Sequence, residues 1–205
     1  MPANADQPHA AGQSPAWVPS RDELPRLLNT RGLLGTAVEV GVKEGQFSEH
    51  ILGHWRGRHL ISIDPWYEDA AEAYVDIANV PQLQHEAYFA ETKDRLAPFG
   101  SRSSVWRMTS AEGAAGIEDA TLDFAYIDAR HDFASVMEDC ALWLPKMRHG
   151  GILAGHDYLD GEFPAGVFGV KSAVDQFFTE RNIPVHHTLF DRPWLSWLTV
   201  IPQPD

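Results

Sequence analysis

From residue 36 to residue 155 the chain repeats one cadence: a short apolar run, a Gly or Asp that closes it, then an amphipathic stretch. The runs fall at 36–42 (TAVEVGV), 59–64 (HLISID), 104–108, 122–128 (LDFAYID) and 151–154 (GILA), and two more follow at 186–190 and 194–201. They are rich in β-branched and aromatic residues and bounded by turn formers, which marks them as strands. Several carry few alternating polar residues, so they suit a sheet covered on both faces rather than one wet on one side.

Amphipathic stretches fill the gaps. Phe47, Ile51, Leu52 and Trp55 fall at helical spacing. So do Phe133, Val136, Met137, Cys140, Ala141 and Leu144, and then Val170, Ala173, Val174, Phe177 and Phe178. We read these stripes as core packing. Strands alternating with helices predict an α/β domain: a single doubly wound, Rossmann-like, mostly parallel sheet with helices on both faces. Only Asp191-Arg-Pro separates the last two runs. Parallel neighbours cannot be joined by so short a link, so an antiparallel C-terminal strand is expected. Residues 22–29 are a candidate leading helix, and 1–20, rich in Pro, Ala, Gln and Asn, read as a mobile arm. Residues 21–205 then form one domain, in which 66–84 fits neither period and reads as an insertion that could serve as a substrate lid.

Composition narrows the function classes. At 205 residues the chain has the length of one ordinary domain with a sizeable core. Sixteen Lys and Arg against 29 Asp and Glu give a net charge of −13. Such a surface repels phosphate backbones and anionic lipid heads, which argues against nucleic-acid and membrane partners. A single cysteine, Cys140, cannot close an intramolecular disulfide. No run approaches the roughly eighteen apolar residues of a membrane span, and the N-terminus lacks the pattern of a signal peptide. The expectation is a soluble, cytoplasmic protein.

In open α/β sheets ligands bind outside the carboxyl ends of the strands. The first strand runs into Gly41 and Gly45, where a missing Cβ lets backbone approach a ligand and the following helix can offer its first amides. The spacing is G-x-x-x-G, neither a dinucleotide fingerprint nor a P-loop. The second strand ends in Asp64, placed to accept hydrogen bonds from ribose hydroxyls. Together they indicate a nucleoside-bearing cofactor. After the third strand, Ser110 either faces an adenine edge or caps the next helix. The fourth and fifth strands end in Asp128 with His131, and in His156 with Asp157. Two carboxylates and two imidazoles there suit a divalent metal or a general base. Asp132 reads as the N-cap of the helix that begins at Phe133.

At this point the chain resembles a known family. Glu39-Val-Gly-Val…Gly45, Ile63-Asp64, Ser110-Ala-Glu112, the run from Asp123 through Asp128 to His131, and Gly150-Gly-Ile-Leu…His156-Asp-Tyr resemble the class I S-adenosylmethionine-dependent methyltransferases. The likeness is strongest to the small-molecule O-methyltransferase branch of catechol and macrolide-sugar enzymes. It spans 36–201 with five motifs in order.

The resemblance implies S-adenosyl-L-methionine as cofactor, with Glu39, Gly41, Val42 and Gly45 around its methionine end. Asp64 would take the ribose, Ser110 and Ala111 the adenine, and Asp128 would serve both cofactor binding and catalysis. It implies a divalent metal, Mg²⁺ or similar, on Asp128, His156 and Asp157. His131, kept neutral, would be the catalytic base beside Asp128. It implies a small-molecule acceptor, methylated on oxygen, and admits a homodimer. Aromatic walls for the acceptor are sought in Trp66, Tyr67, Tyr74 and residues 158–168. The competing readings are a nicotinamide-dependent oxidoreductase and a non-catalytic protein that keeps the cofactor fold.

Overall fold

The computed structural model describes residues 18–69 and 76–203. A short helix α1 (Leu24–Thr30) leads into β1 (Thr36–Val40), α2 (Gln46–His54), β2 (His59–Asp64), α3 (Gln82–Leu96), β3 (Ser103–Arg107), α4 (Ser110–Ala115) and β4 (Leu122–Ile127). Then come α5 (Phe133–Trp143), β5 (Met147–Gly155), β6 (Asp160–Phe163), β7 (Gly166–Gly169), α6 (Val170–Thr179), β8 (His186–His187) and β9 (Trp197–Val200). Seven strands form one sheet in the order β3-β2-β1-β4-β5-β9-β8. The first five pair in parallel, and β9 runs antiparallel to both β5 and β8. The doubly wound sheet and its antiparallel C-terminal strand are as the sequence leads one to expect.

Alternate residues of each strand feed two separate cores. Leu122, Ala125 and Ile127 of β4 pack with Val136, Cys140, Val174 and Phe178 from α5 and α6. Phe124 and Tyr126 face the other way, onto Leu27, Phe47, Ile51 and Leu52 of α1 and α2. That period-two division is what helices on both faces require.

Several elements differ from the sequence reading. Gln82, Leu83 and Gln84 belong to α3, so the insertion closes at Pro81. The buried positions of α3 include His85 and Thr92, polar residues that leave no apolar stripe to read. Residues 158–168 contain the hairpin β6–β7 rather than a loop alone. The run 186–190 is a strand only at His186–His187, because the amides of Leu189 and Phe190 both turn to the Pro19 carbonyl. On α5 the buried face includes Trp143 and Asp139, while Phe133 and Ala141 are exposed. Most of the proposed arm, residues 1–17, and Tyr74 lie outside the described residues. Among the described residues no helix is long and apolar enough to cross a membrane.

Candidate active site

A cavity of about 690 Å³ opens at the carboxyl ends of β1 to β5, within the size range of small-molecule sites. Its floor begins at the β1–α2 turn. Gly41 and Gly45 both take positive φ, +84° and +77°, and Gly45 is the N-cap of α2 without any side chain to occupy its amides. Gly41 and Val42 line the cavity, while Gly45 stands behind it against Thr92.

Asp64 ties this turn to β2. Its Oδ2 accepts from the amides of Val42 and Lys43 at 2.9 Å each, and its Oδ1 from the Trp66 amide at 2.7 Å. Burial raises the Asp64 pKa against the pull of those three amides. A carboxylate offers about four acceptor directions, so one remains for a ligand in the cavity. Glu39 is buried beneath, and the Ser48 hydroxyl donates to it. Burial pushes its carboxyl up to about 8, so it is largely uncharged at neutral pH.

Ser110 and Ala111 reach the cavity from the start of α4. The cap of that helix is Thr109, in a reciprocal capping box with Glu112, and Ser110 is the first helical residue. The Ser110 hydroxyl instead donates to Asp139 and accepts from Trp143 Nε1 at 2.9 Å. Burial pushes Asp139 up to about 6. Asp132 caps α5 as its position suggests, accepting from the Ser135 amide at 3.0 Å.

The strand-end cluster assembles on the opposite wall. His131 Nε2 lies 3.1 Å from Asp157 Oδ2 and 3.7 Å from Asp128 Oδ1. His156 Nδ1 lies 3.0 Å from Asp157 Oδ1 and 3.7 Å from Asp128 Oδ2. A residue absent from the sequence reading completes the group: Asp76 Oδ2 stands 2.8 Å from His131 Nδ1. Burial would lower the His131 pKa, but the carboxylates of Asp128, Asp157 and Asp76 outweigh it and push the ring up to about 11. The neutral His131 that a base requires is therefore not what these carboxylates favour. Burial likewise opposes ionisation of Asp157, yet its two imidazole neighbours hold its carboxyl well below the usual range.

His131 Nε2 is buried without an aligned hydrogen-bond partner, although two carboxylates stand beside it. An unsatisfied nitrogen facing two anions is the arrangement a divalent cation completes. Among the described residues, Asp128, His131 and Asp157 each offer a ligand atom, all within 4.8 Å of one another. The residues fit a cation: His131 is the nitrogen donor of that group, and His156 Nδ1 stands beside the same two carboxylates.

Aromatic side chains close the cavity beside this cluster. Phe168 of β7 stacks on His131 with ring centroids 4.7 Å apart, and Trp194 packs on Phe168 at 5.3 Å. Tyr67 also lines the cavity, but Trp66 does not: it is fully buried, its indole donating to the Lys43 carbonyl. Arg21, Asp76 and Trp194 carried no readable signal, because each reaches the cavity only through tertiary placement. Asp76 does so by an isolated bridge to Gly166, with Ile77 donating to Ala165.

A family model described as a methyltransferase domain matches residues 38–158. The uncharacterized protein y4gI of Sinorhizobium fredii is 22% identical over 186 residues, a match that covers 89% of this chain and 20% of that protein. The chain thus spans about a fifth of the length of that curated relative. Among solved structures, the O-methyltransferase TomG of Streptomyces achromogenes, involved in tomaymycin synthesis and bound to SAM, superposes with a TM-score of 0.60 at 13% identity, covering 89% of this chain and 79% of that one. An O-methyltransferase of Bacillus cereus in complex with SAH gives 0.58 at 14% identity, with 91% and 84% covered. At such identities these structures speak for the shared fold.

Proposed function

The chain belongs to the methyltransferase-domain family, and from that premise we propose that it transfers the methyl group of S-adenosyl-L-methionine to an oxygen of a small-molecule acceptor. One observation carries this reading. A single cavity places the β1–β3 strand-end groups, suited to a nucleoside and an amino-acid moiety, beside the Asp128, His131, His156 and Asp157 cluster on β4 and β5. The O-methyltransferases among the similar structures support the choice of oxygen.

When bound, the cofactor supplies an electrophilic sulfonium methyl, and the reaction forms one carbon–oxygen bond as one carbon–sulfur bond breaks. The chain's contribution is largely positioning of an in-line approach, a source of large rate factors. Gly41 and Val42 give the main chain close access to the amino-acid end. Asp64 keeps one acceptor direction for the ribose, and the Ser110–Ala111 amides border the adenine. Asp128, His131 and Asp157 would hold a divalent cation, which when bound lowers the pKa of an acceptor hydroxyl. Both ring nitrogens of His131 are then engaged, Nδ1 with Asp76 and Nε2 with the cation, so His131 holds its place rather than moving a proton. His156 is the other imidazole of this cluster, beside Asp157 and Asp128, and it takes the proton of the hydroxyl. Phe168 and Trp194 exclude water from that side.

Calorimetric titration with S-adenosylhomocysteine and with NAD⁺ tests the cofactor. Binding of the first alone is expected, and preference for NAD⁺ would replace this reading with an oxidoreductase. Transfer of labelled methyl to a panel of hydroxylated acceptors tests the oxygen. Cofactor binding with no transfer to any acceptor would favour a non-catalytic role.

A further inference from the structure

We propose that Arg21, on the 3-10 turn ahead of α1, binds the carboxylate at the amino-acid end of the cofactor, an assignment that rests on the S-adenosylmethionine reading above. The backbone of this turn is fixed from the far end of the chain. The Arg21 amide donates to the Asp191 carboxylate at 2.7 Å, and the amides of Leu189 and Phe190 both donate to the Pro19 carbonyl at 3.0 Å. So anchored, the side chain reaches over the cavity. Its guanidinium lies 5.0 Å above the Phe47 ring in the first turn of α2, and 3.7 Å from Asp128 Oδ2.

Three cationic side chains other than histidine line the cavity: Arg21, Lys43 and Arg130. Arg130 is paired closely with Asp69 at 2.6 Å, and the Lys43 ammonium sits 5.6 Å over the Tyr88 ring. Arg21 has only a loose carboxylate contact at 3.7 Å, and that carboxylate is also approached by His131 and His156. Its other acidic neighbour, Glu39, is buried and held mostly neutral, so it does not neutralise the guanidinium. The guanidinium also hydrogen-bonds the Tyr126 hydroxyl, and the rest of its planar fork faces the cavity, the geometry that grips a carboxylate through two parallel hydrogen bonds.

The position along the sheet selects which part of the cofactor it meets. Ser110 and Ala111 follow β3, Asp64 ends β2, and Glu39 and Gly41 mark the end of β1, in the spatial order β3-β2-β1-β4. A ligand with adenine over β3 and ribose at β2 brings its amino-acid end to β1, where Arg21 stands over Phe47. Asp128, next in line on β4, would exchange its loose Arg21 contact for the cation.

The test compares S-adenosylhomocysteine with 5′-methylthioadenosine, the same nucleoside thioether without the amino-acid group. Calorimetry on the full chain, with thermal melts to confirm folding, is run for wild type, Arg21→Ala and Arg21→Lys. Arg21→Ala should weaken S-adenosylhomocysteine binding by roughly 10- to 100-fold, the scale of a charge-assisted pair, and leave methylthioadenosine within about twofold. Arg21→Lys should fall between, keeping the charge and losing the fork. Loss of a cation would strengthen the hold on an ammonium, so a weakening reports the carboxylate. Equal loss for both ligands, or none for either, would overturn the assignment. A wild-type chain that binds neither ligand would instead remove the cofactor reading on which it stands.

Discussion

A Cβ built on Gly41 would stand 1.9 Å from the main-chain oxygen of Asp128. The end of β1 and the exit of β4 are thus in backbone contact, reinforced by the Asp128 amide donating to the Val40 carbonyl at 2.7 Å. The glycine turn and the strand-end cluster are held at one fixed separation by the absence of a single methyl.

Gly41→Ala should therefore be among the most damaging single changes in the chain. Both the positive φ and the clash oppose it, and a loss above about 3 kcal/mol is expected, beyond the common range for point substitutions. Gly53 is the internal control: it lies in α2 with nothing within 4 Å of an added Cβ. Gly53→Ala should stabilise by about 0.5–1 kcal/mol. Chemical denaturation of both variants checks the contrast, and similar midpoints would contradict it.

Glu39 should make stability fall with pH. Burial raises its folded pKa to about 8 from an ordinary 4.5, so the folded state keeps a proton that the unfolded chain releases. The contribution is whole below about pH 4.5 and is lost as pH rises through about 8, with a slope of at most roughly 1.4 kcal/mol per unit. Glu39→Gln should remove that slope, so its melting temperature gains on wild type between pH 5 and 8. Parallel profiles for the two proteins would show that Glu39 titrates normally.

Asp64→Ala should cost both stability and affinity. It strips a partner from three amides, at about 1–3 kcal/mol for each one left dry, and removes a ribose acceptor worth roughly 1.5–3 kcal/mol. Denaturation and S-adenosylhomocysteine titration separate the two effects. An unchanged dissociation constant in a folded variant would exclude Asp64 from the cofactor contact.

His131 and His156 should separate by readout. Mn²⁺ binding, followed by calorimetry, should be lost in His131→Ala and kept within a few-fold in His156→Ala. Methyl transfer by His156→Ala should drop about 10²–10⁴-fold, the usual scale for a general base. The reverse pattern would return the ligand role to His156. A chelated enzyme with full turnover would dispense with the cation.

What could be read in the sequence was whatever one element decides alone. Asp64, Asp128 and His156 stand where a strand stops, and a strand's end is visible in its own run of residues. Asp132 as a cap follows from the stripe that begins beside it. Asp76 and Arg21 are different, since neither has local meaning until the Gly166 bridge or the Asp191 contact places it. The α3 helix escaped for another reason: it buries His85 and Thr92, and a polar buried face has no hydrophobic period. The division of labour proposed for the two imidazoles also needed coordinates, because it rests on Asp76 standing beside His131 Nδ1.

The tie between Arg21 and Asp191 has a consequence for how the molecule is made. A ribosome emits Arg21 170 residues before the carboxylate that anchors its amide, with Leu189 and Phe190 arriving just ahead of that partner. Contacts of such long sequence separation carry the largest loop-closure cost and form late. The parallel strands and their turns can assemble while this turn is still unanchored. The proposed cofactor cradle is thus finished only once residues 189–191 have been made, and a nascent chain would hold the nucleoside end before it could grip the rest.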